Sequence, residues 1–114
     1  MNDEARDILQ RILRFVAECE QERDKLVGTD DAFLRKVGYK AIAIDLIQIG
    51  ESVNKLQKKY AEILAKQPNI PWRQIIGLRN IIVHSYDNIL EEEIEEALKM
   101  NLPELKVAVE SLLK

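Results

Sequence analysis

Eight apolar residues between positions 39 and 63 set the strongest limit on what this chain can fold into. Tyr39, Ile42, Leu46, Ile49, Val53, Leu56, Tyr60 and Ile63 follow one another at alternating steps of three and four. On a helix those steps place all of them along one stripe, a seam of about three and a half heptads. Such a seam must be covered by other helices, from the same chain or from a second copy. Ala41, Ala43 and Gly50 lie on the same segment, where small side chains permit close helix approach. Only four Gly and three Pro occur in 114 residues, too little turn chemistry for an all-β chain. The expectation is an all-α fold in a single domain, residues 1–114. Its core is modest for that length, so burial through a homodimer is expected as well.

The flanking segments complete a bundle. Residues 3–27 form an amphipathic helix, with Ile8, Ile12, Phe15, Val16, Cys19 and Leu26 on one face and Gly28-Thr29 ending it. Asp30-Asp31 starts the seam helix, which has room to bend at Gly38 and runs to about Ala65. Gln67-Pro68-Asn69-Ile70-Pro71 is a clear break, and Pro71 suits the first turn of a third helix reaching about His84. Ser85-Tyr86-Asp87-Asn88 reads as a loop. A fourth helix starts near Leu90, with Glu91, Glu92 and Glu93 at its positive end. Asn101-Leu102-Pro103-Glu104 has the spacing of a new N-cap, with a capping acid three residues on. The architecture predicted is four main helices plus a kinked or split C-terminal element.

Composition then removes most chemistries. One His and one Cys cannot make a zinc-ligand cluster, and no Gly-rich phosphate loop is present. Cys19 has no partner for an internal disulfide and falls on an apolar stripe, as a core residue does. The 91–96 carboxylates sit at a helix start and read as a solvated face rather than a metal site. The N-terminus has neither the basic start nor the apolar stretch of a signal peptide, and no run is long enough to span a membrane, so a cytoplasmic protein is expected. The net charge of −3 argues against a general nucleic-acid coat, yet residues 34–79 carry nine Lys or Arg against three acids. A local basic surface able to meet phosphate is one reading of that stretch, and a mixed solvated face is the other.

What remains is His84 and its neighbours. Asn80 and His84 are four apart and share a helix face, and Arg79 and Tyr86 are seven apart and share one if the helix extends that far. Arg grips phosphate in two-pronged fashion, His moves a proton near neutral pH, and Asn orients either. That set suits RNA cleavage without a metal: the 2′-OH attacks the adjacent phosphate while one group takes its proton and another protonates the leaving 5′ oxygen. A single His cannot fill both roles at once; two copies of the site facing each other across a dimer supply two. The same side chains could instead serve as caps and buried hydrogen bonds.

The run Arg79-Asn80-Ile81-Ile82-Val83-His84-Ser85-Tyr86 resembles the R-x4-H-x-Y motif of the HEPN superfamily, and specifically the HepT-like toxins. The central helix over residues 43–51, the lead-in Ile70-Pro71-Trp72-Arg73-Gln74-Ile75-Ile76-Gly77-Leu78 and the segment Leu102-Pro103-Glu104-Leu105 resemble the family too, so the likeness covers roughly residues 5–113. It implies a homodimeric helical bundle with the motifs lining a cleft between protomers. It implies a metal-independent ribonuclease with no cofactor, the toxin of a type II-like toxin–antitoxin pair; as RNA substrate, a tRNA and an mRNA are equally compatible with one basic patch. The implied antitoxin is a cognate MNT-type nucleotidyltransferase that adds AMP to the motif tyrosine. Carried onto this chain, Arg79 and His84 are catalytic, Asn80 supports them and Tyr86 is the AMPylated residue. Glu51, on the seam helix, is a candidate hydrogen-bond partner of the site. The alternative is a non-catalytic helical domain that binds a nucleotidyltransferase and assists its substrate binding.

Overall fold

The structure, a computed structural model, describes residues 1–84 and 89–114, with the backbone alone for Ile89 and Leu90. The described residues are all-α and contain no strand. They form α1 (Asp3–Leu26), α2 (Ala32–Lys59), α3 (Ala61–Leu64), α4 (Trp72–Ile76), α5 (Leu78–Val83), α6 (Ile89–Met100) and α7 (Leu102–Leu113).

Two long helices make the frame. The Asn2 side chain caps α1 by accepting from the Ala5 N–H at 2.9 Å. Asp31 does the same for α2, accepting from Phe33 and Leu34. Ala5, Ile8, Leu9, Ile12, Val16 and Cys19 are buried on α1, and Ile42, Leu46, Ile49, Val53 and Leu56 are fully buried on α2, so the two apolar faces close on each other. Gly28 has φ +80°, a left-handed turn that an L side chain would strain, and it lets the chain reverse between them. α2 runs through Gly38 without a break. A Cβ there would lie 2.5 Å from a terminal methyl of Leu26, so that side chain would have to shift to admit one.

Two boundaries and one cap differ from the sequence reading. The seam helix ends at Lys59, not near Ala65, because Tyr60 leaves helical geometry (φ −139°, ψ 47°). Its hydroxyl reaches back to the start of α1, donating to Glu4 and accepting from the Asn2 amide. The segment expected as one helix from Pro71 to His84 is two, α4 and α5, parted at Gly77. At the C-terminal split the Asn101 side chain makes no cap hydrogen bond; its backbone bonds to Ala97 and Leu105 carry the chain from α6 into α7. Trp72 ties down the linker before α4, its indole N–H shared between the carbonyls of Leu64 and Gln67 at 3.0 Å each.

Candidate active site

α5 is short and rests on α2. Leu78 and Ile82 point into the core, which turns Arg79 and Asn80 outward. The seat beneath them is Gly50. A Cβ at that position would lie 3.1 Å from the Ile75 carbonyl oxygen and 3.7 Å from the Arg79 nitrogen, so α2 passes the α4–α5 junction at a separation that only glycine fits without displacement. This close approach sets Glu51, the next residue of α2, beside Arg79. The Arg79 Nε–H donates to Glu51 Oε1 at 3.0 Å, and both side chains are about half exposed. Among the described residues no bond engages the two terminal nitrogens of Arg79, the pair that would grip a phosphate.

His84 closes α5. Its backbone N–H donates to the Asn80 carbonyl, placing it one turn beyond Asn80 with its side chain exposed. Arg79, Asn80 and His84 therefore share one solvent-facing segment. α5 stops at Val83, short of Tyr86; Tyr86 and the expected loop lie outside the described residues. A cleft of about 320 Å³ opens beside the same helix, between Leu78, Ala97 and Met100, but Glu93, Glu96 and Glu104 line it. Its charge is the wrong sign for a nucleic-acid backbone.

Two clusters escaped the reading of the chain. The 91–96 carboxylates are not merely a solvated face. Glu91 pairs with Arg35, and Glu95 accepts from Tyr39 and Arg23, which fixes α6 against α1 and α2. Burial, with Glu95 beside it, pushes the Tyr39 phenol up to about 12. The second cluster joins α1 to α2: Glu18, Glu22 and Asp45 bring carboxylate oxygens within 4.8 Å of one another. Burial raises the Asp45 carboxyl to about 7, helped by its contact with Glu22. Asp45 in turn raises Glu18, and burial pushes the neighbouring Cys19 thiol up, as suits a core residue. The one signal in the sequence was Asp45 itself, an acid three residues from Ile42 and four from Ile49, in step with the buried seam.

Comparison with known proteins decides the family. The profile of the family described as Ribonuclease HepT-like matches residues 5–112. The chain belongs to the HepT-like family. Among its relatives, a protein named as a candidate RNase from Caldanaerobacter subterraneus subsp. tengcongensis is 32% identical over 111 residues, covering 96% of this chain and 94% of that one. Two proteins of Methanocaldococcus jannaschii, also named as candidate RNases, are 36% and 29% identical over 54% and 74% of this chain, and over 54% and 71% of their own lengths. No solved structure matches the chain at a significant level. No helix among the described residues is long and apolar enough to cross a membrane.

Proposed function

We propose that this HepT-like protein is a metal-independent endoribonuclease, working as the toxin of a toxin–antitoxin pair. Arg79 binds the scissile phosphate and stabilises the charge that builds on it; His84 moves the proton; Asn80 supports both. The 2′ oxygen bonds to phosphorus as the bond from phosphorus to the 5′ oxygen breaks, leaving a 2′,3′-cyclic phosphate and a free 5′ hydroxyl. One imidazole takes the 2′ proton and the other gives a proton to the 5′ oxygen, so the reaction needs two protomers. Tyr86 is the residue that a cognate MNT-type nucleotidyltransferase modifies with AMP. The added bulk and negative charge compete with RNA for Arg79.

The observation that carries this reading is Arg79 itself. Among the described residues it is held through Nε alone, on the same exposed segment as His84, in a member of a family described as ribonucleases. The homodimer is supported by apolar side chains left exposed on α2 and α5. Val83 is 47% exposed, as is Val37 on α2, and Phe33 and Ile44 on α2 are 71% and 61% exposed. A second copy covering Val83 would bring a second His84 near the first.

Purified protein is expected to cleave RNA in EDTA, and Arg79→Ala or His84→Ala to abolish cleavage while leaving the helical circular dichroism spectrum intact. Full activity in His84→Ala would remove the imidazole from the mechanism. Co-expression with the nucleotidyltransferase is expected to add AMP-sized mass to Tyr86, read by intact mass and peptide mapping. The non-catalytic reading draws on the same Arg79–Glu51 ion pair, taken as a structural contact. It predicts binding of the nucleotidyltransferase with no RNA cleavage by either partner-free wild type or variants.

A further inference from the structure

The cleft beside α5 has the wrong charge for RNA, and the proposed ribonuclease chemistry leaves it unused. Glu93, Glu96, Ala97 and Met100 lie three, four and seven residues along α6, so one helix face presents them together. α5 contributes Leu78 and Ile81, and the first turn of α7 contributes Glu104. No Lys or Arg lines the cleft. The ion pairs among the described residues use other acids: Glu4, Glu20, Glu51, Glu91 and Glu95.

Independently of the acids, Asn101 lines the same cleft from the junction of α6 and α7. It is 8% exposed, yet among the described residues its side chain neither caps α7 nor makes another hydrogen bond. Buried side-chain amides are nearly always bonded. Among the described residues the one fully enclosed side-chain polar atom without a partner is Glu22 Oε2. The Asn101 amide therefore keeps an opening to solvent, and the opening it lines is this cleft. A buried amide held by nothing in the fold, beside three carboxylates without ion-pair partners, points to a hydrogen-bonding cation from outside the chain.

Spacing and lining decide the kind of cation. A metal ion needs oxygens that converge on one point. Among the described residues three carboxylates close to within 4.8 Å of one another at Glu18, Glu22 and Asp45, and the acids of the cleft do not. Charges set apart suit a ligand whose own charges are set apart along a chain. Leu78, Ala97 and Met100 supply apolar surface between the acids, and Met100 is 61% exposed. The volume, about 320 Å³, is at the small end of sites for organic ligands.

We propose that this cleft binds a linear aliphatic polyamine. Its ammonium groups pair with Glu93, Glu96 and Glu104, an N–H donates to the Asn101 side-chain oxygen, and its methylenes lie on Leu78, Ala97 and Met100. The ligand spans α5, α6 and α7, so its binding braces the short helix that carries Arg79.

The test titrates spermidine into the whole chain at pH 7.5 and fixed ionic strength, read by calorimetry, thermal melting and amide hydrogen exchange. One spermidine per chain is expected to bind saturably, to raise the melting temperature and to slow exchange along α5. The double variant Glu96→Gln, Glu104→Gln changes two exposed side chains and should bind about tenfold more weakly or worse. Asn101→Ala removes an amide that holds nothing in the fold. It should melt close to wild type without spermidine and bind it about threefold more weakly or worse. Should Asn101→Ala fail to fold, the double variant carries the same expectation, and Glu62→Gln, on α3, should bind as wild type does. Three results overturn the proposal. The wild type could take up no spermidine at millimolar concentration. The double variant and Asn101→Ala could bind as tightly as wild type. Or magnesium chloride at equal charge could give the same rise in melting and the same slowing of exchange, which would mean general neutralisation of an acidic surface. None of these readouts uses RNA, so they stand or fall apart from the ribonuclease reading.

Discussion

Gly50 links the helix frame to the candidate catalytic segment through one absent methyl group. Alanine there would press on the Ile75 carbonyl, which is backbone in a seated turn and cannot rotate away. Gly50→Ala should therefore destabilise the protein by about 1–3 kcal/mol, the usual range for overpacking. RNA cleavage should fall further than stability does, because the displaced element carries Arg79. Urea denaturation beside a cleavage assay separates the two effects. Glu51 gives a complementary test. Its pair with Arg79 is half exposed, so Glu51→Gln should change stability by less than about 1 kcal/mol. If the pair aims the guanidinium, kcat should drop on the order of tenfold. An unchanged kcat with unchanged KM would leave Glu51 as a surface contact. Glu51 was within reach of the sequence as a partner because it sits on the seam helix near a glycine. The grouping of Glu18, Glu22 and Asp45 was not, since it depends on how α1 and α2 are rotated about their axes, and no spacing along the chain encodes that.

At the scale of elements, the long helices could be read because burial is written into them as a period. Every seam residue from Tyr39 to Leu56 is buried, and so is Ile63 beyond the break. The break at Tyr60 was hidden for the same reason: the apolar rhythm passes straight through it, and what turns the chain is a phenol bonded to the far end of α1. The split at Gly77 was hidden by a similar continuity, since Ile75, Leu78 and Ile82 keep a helical step across it and all stay buried. The linker between α3 and α4 is ordered by Trp72 rather than by local propensity. Trp72→Phe keeps the ring and removes the N–H, leaving the Leu64 and Gln67 carbonyls without that donor. A loss of about 1–3 kcal/mol is expected in thermal or urea unfolding. A variant as stable as wild type would show that water replaces the indole there.

For the whole molecule the open question is assembly. One protomer offers one His84, and the proposed two-proton reaction needs two. The protein should run as a dimer by light scattering at micromolar concentration. Phe33→Glu, which puts a charge on the exposed apolar side of α2, should shift it toward monomer, lower cleavage in proportion and leave the monomer folded. A monomeric wild type that still cleaves RNA would remove the composite site. Charge distribution along the chain suggested a basic surface but not its use. Part of it is spent on surface ion pairs between helices, where Arg35 meets Glu91 and Lys59 meets Glu4.

α5 has six residues, fewer than two turns, and a helix of that length does not persist in water by itself. Its shape comes from what it leans on: the Gly50 seat, Leu78 and Ile82 in the core, and α4 before it. A regulator therefore has no need to unfold the bundle. Prising up this one short step would scatter the guanidinium and the imidazole together, and letting it settle back would restore both. The long helices keep the memory of the site while it is switched off.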